Sequence, residues 1–537
     1  MFASSIQITA IAKPKKPSAC NPCKARRVLC HPQPGGAACP RCMERKIICT
    51  TTPVPRGRPR KNPPKSSLSL SALPQPTHTI LSPVGSSCGF SPDCPDLSPE
   101  FVSHCFDGLE VDFQYWHPLI TATSIKSDIR AVSCQLHLLS PQSYVLALCI
   151  VAYASLTSFH EFVLGEGPRP DSYKDLNFFS SRQELLRCGV RRAPAYRALR
   201  TEALKAALDA CTILLPSNEN AASCYLLDLM DQVDFCNTGR PFATAYMAHL
   251  RVLAPTWWPS SKTALTFGGF VRWTGALLME SLISTRKRTP LLVTSHDQLF
   301  LCGPEPPPLE ILLDSLESSE DHSIVPFRWA TLRPYLFHFT TLARHLDGIA
   351  GDFARTRPLN EGAILNLLKS LSTMHSIISL LLDRIERAGA PAVSASPFYR
   401  ELQYRENSSN CPSPNPRVRE RLATLRTQAH ELVVLGQREL ARGIRRLPKI
   451  HYLPAHGETI RAWAEFAAEE ADAHAHGDAS PLSAEVARDL ETYANELRLL
   501  GYSIDVASTP QTSALIERLE NHVDRAIVSL FLPGNGT

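Results

Sequence analysis

Six cysteines lie within "CNPCKARRVLCHPQPGGAACPRCMERKIIC", residues 20–49, together with a run of arginine and lysine. Clustered thiols support two kinds of chemistry: they pair as disulfides, or as thiolates they bind a metal ion such as zinc. The second half of the segment repeats the C-x2-C-x6-C spacing of the first half at a 19-residue offset. Repeated ligand spacing of this kind is typical of metal sites, because a C-x2-C turn presents two sulfurs to one ion.

A small disulfide-stapled secreted domain is the alternative interpretation. The first residues, "MFASSIQITAIAKPKKP", place lysines after the apolar stretch, the reverse of a secretory signal. The other 11 of the 17 cysteines are scattered along the chain, as buried thiols are in a reducing compartment. Metal binding is therefore favoured. Six thiolates satisfy one tetrahedral zinc ion with two left over, or two ions if two sulfurs bridge.

The segment 20–49 resembles the fungal binuclear zinc cluster (Zn2Cys6) at the start of many transcription factors, and all six ligand positions match. The resemblance implies two Zn2+ ions as cofactors. It implies bridging thiolates at Cys20 and Cys39. The terminal ligands would be Cys23, Cys30, Cys42 and Cys49.

The same resemblance implies DNA contacts from the basic run between the second and third cysteines. Here that run is Lys24, Arg26 and Arg27. Family members usually carry a lysine directly before the third cysteine, where this chain has Leu29. This departure removes one expected phosphate contact and leaves the metal ligands unchanged.

Positive charge is concentrated around the cysteines. Residues 1–65 hold 14 Lys and Arg against one acid, Glu44, whereas the whole chain is only +5. Residues 66–537 therefore carry a net charge of −8. A confined positive field of this kind is the electrostatic footprint expected of a phosphate-binding module.

The stretch Pro55-Arg56-Gly57-Arg58-Pro59 resembles an AT-hook. Its prolines hold an extended backbone, and glycine lets that backbone approach the floor of a narrow groove. Arg56 and Arg58 can then reach along the A·T-rich minor groove. A nuclear-import signal that includes the following basic residues is a compatible alternative.

Residues 50–99 contain 11 prolines and several serine runs, which predicts a disordered or polyproline linker. Many relatives pair two subunits through a coiled coil placed here. Proline at this density excludes an apolar heptad repeat. The cluster domain is therefore predicted to be monomeric, with dimerisation left to the helical body.

From about residue 100 the chain has apolar residues at helical spacing, in segments such as "SPQSYVLALCIVAYASL", "AYRALRTEALKAALDACTILL" and "GAILNLLKSLSTMHSIISLLLDRIE". The sequence thus predicts a small zinc-cluster domain, a disordered linker and a mostly α-helical regulatory domain. The predicted segments are a basic disordered N-terminus (1–19), the cluster (20–49), the linker (50–99), a helical middle region (100–400) and a C-terminal helical region (401–537).

The helical body resembles the middle homology region of fungal zinc-cluster regulators, most noticeably in "LLDLMDQVDFCNTGRPFATAYMAHLRVLAPTW". That resemblance implies regulation and assigns no ligand. "EFVSHCFDGLEVDFQYW" and "LEILLDSLESSED" combine acidic and bulky apolar residues, which predicts either coactivator-docking segments or ordinary pieces of the body. The longest uninterrupted apolar run, in residues 144–154, is too short to span a bilayer, so no membrane partner is expected.

Catalytic motifs are missing: the sequence has no P-loop, no G-x-S-x-G and no H-E-x-x-H. We therefore expect a non-enzymatic, nuclear transcription regulator that binds double-stranded DNA at CGG-type sites and acts with coactivators. An architectural chromatin protein that binds A·T-rich DNA through shape and charge is the alternative.

Overall fold

The computed structural model describes residues 19–26, 28–31, 33, 37–50, 95–109, 117–173, 175–233, 239–257, 269–287, 289–318, 329–354, 360–387, 416–446, 457–476, 482–505 and 509–531. The chain divides into two compact units, residues 1–86 and 87–537. The described residues are mostly helical and contain no β-strand, which confirms the predicted helical fold class. The basic tail 1–18, the AT-hook-like stretch and most of the linker, residues 51–94, lie outside the described residues.

The first unit contains two short helices, α1 (Asn21–Ala25) and α2 (Pro40–Glu44). The second unit contains one short 3-10 helix, Leu136–Leu138, and eighteen α-helices in its described residues. They are α3 (Pro99–Leu109), α4 (Pro118–Ala122), α5 (Ile125–Ala131), α6 (Pro141–Ala154), α7 (Glu161–Leu164), α8 (Leu176–Phe179), α9 (Arg182–Asp209), α10 (Asn218–Val233), α11 (Pro241–Trp257), α12 (Phe270–Lys287), α13 (Ser295–Cys302), α14 (Leu309–Ser318), α15 (Trp329–Ala354), α16 (Glu361–Arg387), α17 (Pro416–Arg446), α18 (Gly457–His476), α19 (Ala484–Ser503) and α20 (Pro510–Phe531).

Helix α6 forms where the sequence predicts it. Ser140 caps it by accepting a hydrogen bond from the Ser143 amide, and Pro141 occupies the first turn. Its residues from Val145 to Ala154 are all buried, because the helix is apolar on every side and packs between α3, α9 and α10. It is a core helix of the body.

Helix α9, 28 residues long, packs along α6 and α19 and so joins the early part of the body to its last helices. The backbones of α9 and α19 approach closely at Gly189 and Gly501. A Cβ at Gly189 would lie 2.3 Å from the carbonyl oxygen of Gly501 and 2.1 Å from that of Ile504. The contact therefore requires glycine at this position of α9.

A buried arginine holds the same junction. Arg192 is fully buried in the middle of α9, and its guanidinium donates to backbone carbonyls at the ends of two other helices. Nε donates to the Tyr502 carbonyl at 3.1 Å, and Nη1 donates to the Ser155 and Ser158 carbonyls, the latter at 2.6 Å. The Tyr502 and Ser155 carbonyls lie at the C-terminal ends of α19 and α6, where the helix dipoles favour a cation, and Ser158 lies in the loop after α6. Arg192 thus caps two helices at once.

A second buried arginine, Arg240, directly precedes α11. Arg240 donates through Nε and Nη2 to both carboxylate oxygens of Asp228 at 3.2 and 2.8 Å, and through Nη1 to Glu280 at 3.1 Å. Burial raises the pKa of Glu280, against the opposing effect of Arg240. A buried ion-pair network therefore ties α10 to α12.

Helices on both sides of residue 400 share one hydrophobic core. That core includes Leu185 of α9, Ile377 of α16, Tyr493 of α19 and Leu519 of α20. The C-terminal helices are consequently part of the same packed unit as the middle region. The boundary at 400/401 stays a prediction.

In their described residues, the two acidic-apolar segments form helices α3 and α14 of the body. In α3, Phe101 and Phe106 are buried against the core. In α14, Leu309 is buried and Leu312 packs partly buried beside it. Phe101 and Phe106 of α3 are therefore covered, whereas Ile311 of α14 is 56% exposed.

One described helical stretch, Glu361–Arg384 within α16, is long and apolar enough to cross a membrane by length and composition, with a mean hydropathy of 1.3. Core helices of soluble proteins pass the same test. Here Met374, Ile377 and Ile378 are buried in the core described above.

We expect Arg192→Met to lower the free energy of unfolding of the body by about 3 kcal/mol, because it leaves buried carbonyls at two helix ends without a donor. Urea denaturation followed by circular dichroism measures the loss. Arg187→Met, on the same helix but with a side chain 58% exposed, is the control and should cost less than about 0.5 kcal/mol. Equal losses in both variants would contradict the capping role.

Candidate metal centre

The internal duplication of the cysteine segment is also present in its backbone. Cys20 precedes α1 with φ −67° and ψ 156°, and Cys39 precedes α2 with φ −67° and ψ 150°. The residues that end the two helices, Arg26 and Arg45, also share one conformation, at φ −90°, ψ 2° and φ −93°, ψ 5°. The two halves therefore fold as copies of one turn-and-helix unit.

In each half, a local hydrogen bond holds the third cysteine next to the first. The Cys20 amide donates to Cys30 Sγ at 3.5 Å, and the Cys39 amide donates to Cys49 Sγ at the same distance. Prolines in the first turns of α1 and α2 favour the start of each helix. Their φ is already close to the helical value, and the N–H that proline lacks would have had no acceptor within the helix. Each half thus brings three sulfurs close together without a hydrophobic core.

The sulfur atoms of the two halves meet in the middle. Cys20 Sγ lies 3.8 Å from Cys39 Sγ, 3.7 Å from Cys42 Sγ and 3.7 Å from Cys30 Sγ. Cys23 Sγ lies 3.8 Å from Cys39 Sγ. Thiolates at 2.3 Å from a tetrahedral zinc are separated by about 3.8 Å. The observed spacing therefore matches the edges of a zinc-centred tetrahedron.

Four of these cysteines form a compact group that could hold a metal ion. The sulfurs of Cys20, Cys23, Cys39 and Cys42 all lie within 4.8 Å of one another and their residues are buried. Cys30 and Cys49 are partly buried and pack against this group. The structure thus brings all six predicted ligands into one cluster.

Crowding of the thiols shifts their proton affinities in opposite directions. Hydrogen bonding to Cys20, followed by burial, raises the pKa of Cys23 to about 12. A backbone hydrogen bond from Cys42 lowers the pKa of Cys39 to about 6. Burial raises the pKa of Cys42. The raised pKa values of Cys23 and Cys42 favour their protonated thiols, and a bound divalent cation would oppose this by stabilising the thiolates.

The predicted DNA-contacting residues divide between described and undescribed parts of the chain. Lys24 lies in α1 and Arg26 ends it, and both are exposed beside the cysteine cluster. Arg27, Arg56 and Arg58 lie outside the described residues. The sequence-based prediction passed over a second basic set in the other half of the duplication: Arg41, Arg45 and Lys46, all exposed. The 19-residue offset was the signal that could have found two of them, because it relates Arg45 to Arg26 and Lys46 to Arg27.

No family model, no curated protein and no solved structure matches the chain.

We expect chelation to make the cysteine cluster selectively reactive. Metal-bound thiolates resist alkylation, and removing the ion takes away what holds so small a unit together. Iodoacetamide labelling read by mass spectrometry should rise at Cys23 and Cys42 after treatment with a chelator. Cys149 and Cys224, fully buried in the body, serve as controls and should remain unlabelled throughout. Unchanged labelling of Cys42 would argue against a bound metal.

Proposed function

We propose that residues 20–49 form a binuclear zinc cluster and that the chain is a zinc-dependent, sequence-specific DNA-binding transcription factor of the Zn2Cys6 type. One observation carries the proposal: four cysteine sulfurs lie within 4.8 Å of one another and two more cysteines pack against them, which is more sulfur than one tetrahedral ion uses. The Cys23 thiol interacts with Cys20, Cys30 and Cys39. The Cys42 thiol interacts with Cys20, Cys39 and Cys49.

Two overlapping sets suit two ions better than one. Each set supplies the four sulfurs that tetrahedral zinc prefers, and Cys20 and Cys39 belong to both. The contacts of Cys20 are consistent with a bridging role, since its sulfur lies 3.7 Å from one sulfur of each half, Cys30 and Cys42. A single ion held by Cys20, Cys23, Cys39 and Cys42 would instead leave Cys30 and Cys49 without a metal to bind.

Metal stoichiometry tests the cluster. Elemental analysis of the purified protein should give two zinc ions per chain. Cys39→Ser should remove or weaken both ions, because a bridging sulfur serves each, whereas Cys49→Ser should retain at least one. Binding of one zinc per chain, with no loss in Cys49→Ser, would fit the four-sulfur site and overturn the binuclear cluster.

Exposed positive charge around the cluster supports DNA as the partner. Lys24, Arg26, Arg41, Arg45 and Lys46 are all exposed, and none forms an ion pair with another described residue. The single acid of the region, Glu44, offsets little of this charge. Unpaired cations on a small rigid unit are suited to phosphate contacts, and an arginine can also bind guanine through O6 and N7.

The proposed mode of binding joins two elements. The zinc cluster reads a CGG-type triplet in the major groove through Arg26 or Arg27. The AT-hook-like stretch extends along the adjacent minor groove with Arg56 and Arg58, and Arg56 lies only seven residues beyond Cys49. This tethered contact supplies affinity for DNA that other Zn2Cys6 proteins gain by pairing two subunits through a coiled coil. If the second element dominated, the protein would act as an architectural A·T-binding chromatin protein.

DNA-binding assays separate the two roles. Arg27→Ala should weaken binding to a CGG duplex by about 1–3 kcal/mol and leave random DNA nearly unaffected, as expected for a base contact. The double variant Arg56→Ala/Arg58→Ala should abolish the preference for A·T over G·C flanks while retaining the preference for the triplet. Fluorescence anisotropy at fixed salt measures both effects. Equal affinity for CGG and A·T-only duplexes would favour the architectural role.

The helical body is assigned a regulatory rather than an enzymatic role. We place the protein in the nucleus, with double-stranded DNA and coactivators as partners and with the zinc unit acting as a monomer. Support for the regulatory role comes from the resemblance of the buried Arg240 region to the middle homology region. Any dimerisation would come from the body, since the proline-rich linker excludes a coiled coil.

A further inference from the structure

A lysine in a strained backbone conformation lies just beyond α2. Lys46 follows the helix cap, Arg45, and its φ of 52° is in the left-handed region. Its amide donates to the Met43 carbonyl at 3.1 Å, and the Ile47 amide donates to the Cys42 carbonyl at 2.9 Å. These two bonds form a helix-ending motif whose left-handed residue is usually glycine or asparagine. A lysine there is less stable than glycine would be, because its Cβ crowds the following carbonyl.

The chain itself offers no contact that explains this lysine. Lys46 is exposed, and its ammonium forms no hydrogen bond or ion pair with another described residue. Glu44, two positions earlier, is also exposed and forms no ion pair with a described residue. Non-glycine residues held in a left-handed conformation cluster at binding sites. The structure therefore directs attention to a ligand outside the chain.

The internal duplication relates this position to the proposed base contacts. The 19-residue offset places Lys46 opposite Arg27, one of the two residues proposed to contact guanine. The Val28 amide donates to the Cys23 carbonyl at 3.1 Å, which is the same helix-ending bond as the one that closes α2. The second half thus carries a cation at the corresponding place of the repeated unit.

Phosphate is the ligand class that suits the second half. Residues 39–49 contain the exposed cations Arg41, Arg45 and Lys46 against the single acid Glu44, a net charge of +2. A lysine ammonium binds a phosphate oxygen as a point charge. It lacks the planar fork through which arginine recognises guanine with two hydrogen bonds. Lys46 is therefore suited to the DNA backbone rather than to a base.

The small size of the cysteine unit keeps Lys46 near any DNA that the first half contacts. Four buried sulfurs at its centre lie within 4.8 Å of one another. Lys46 precedes Cys49 by three residues, and three residues span at most about 11 Å. The major groove of DNA is about 12 Å wide and has a phosphate backbone on each side. A unit whose first half enters this groove therefore holds Lys46 within reach of a backbone.

We infer that Lys46 binds a phosphate of the DNA backbone while the first half contacts bases, so that one cluster uses both copies of its duplicated unit. The contact supplies sequence-independent affinity to a cluster that has no partner subunit. The inference rests on the proposed function, because it requires that the cluster bind DNA. It adds a residue that lowers the stability of the zinc unit and raises its affinity for DNA.

The test replaces Lys46 in the full-length protein with the two residues that best tolerate a left-handed conformation. Lys46→Gly and Lys46→Asn should both raise the chelator concentration needed to remove zinc by about threefold or more, since folding and metal binding are one equilibrium. Both should weaken binding to CGG and random duplexes alike, by about fivefold to tenfold at about 0.1 M salt. The slope of log affinity against log salt should become shallower by about 0.9. Fluorescence anisotropy over a range of salt concentrations measures the last two effects.

Two control variants separate charge from conformation. Lys46→Arg keeps the cation and the unfavourable Cβ, so it should bind both duplexes within about twofold of the unchanged protein and release zinc at the same chelator concentration. Lys205→Gln removes an exposed lysine of α9 in the helical body and should change neither property. Equal losses of DNA affinity in Lys205→Gln and Lys46→Asn would show a general charge effect and overturn the contact.

The outcomes also distinguish this inference from the proposed function. Unchanged DNA affinity in Lys46→Gly and Lys46→Asn, together with a loss of CGG binding in Arg27→Ala, would overturn the phosphate contact and leave the proposed function standing. A loss of DNA affinity confined to CGG, or accompanied by easier removal of zinc, would likewise overturn the contact. Absence of binding to any duplex by the unchanged protein would overturn both.

Discussion

Sulfur packing takes the place of a hydrophobic core in the first unit. The buried core of its described residues consists of Cys20, Cys23, Cys39 and Cys42, with Cys30 and Cys49 packed against them. Two five-residue helices bury far too little apolar surface to offset the entropy of ordering the chain. The fold of this unit, and the placement of its exposed cations, therefore depends on what satisfies the sulfurs. With zinc as the proposed ligand, metal binding and folding are one equilibrium.

The helical body has a different constraint. Its many apolar helices could pack in several ways, and specific contacts must select one arrangement. Two buried arginines contribute to this at separate places. Arg192 satisfies carbonyls at the ends of α6 and α19, and Arg240 binds carboxylates of α10 and α12. Buried charges with specific partners penalise alternative packings more strongly than aliphatic contacts do. Arginine is suited to both places since its planar fork donates in several directions at once.

Sequence reasoning succeeded where the deciding interactions are local. The repeated cysteine spacing predicted the sulfur cluster, because its residues lie within 30 positions and turn geometry alone brings them together. Ser140 and Pro141 predicted the start of α6 for the same reason. The buried roles of Arg192 and Arg240 were beyond this reasoning, since a charged residue in a helical pattern ordinarily indicates a solvent-facing position. The DNA contacts of Arg27, Arg56 and Arg58 stay predictions.

The hydrogen bond from Arg192 to the Tyr502 carbonyl spans 310 residues and has a consequence for biosynthesis. At about 5–20 residues per second, a ribosome needs roughly 15–60 s to make the chain between these two positions. During that time α6 and α9 have no α19 to cover them, and their apolar surface is open to chaperones or to other nascent chains. The cysteine unit is complete by residue 50 and meets no such delay. The two units therefore become folded at different times on the ribosome, and the body is the part most dependent on cellular folding assistance.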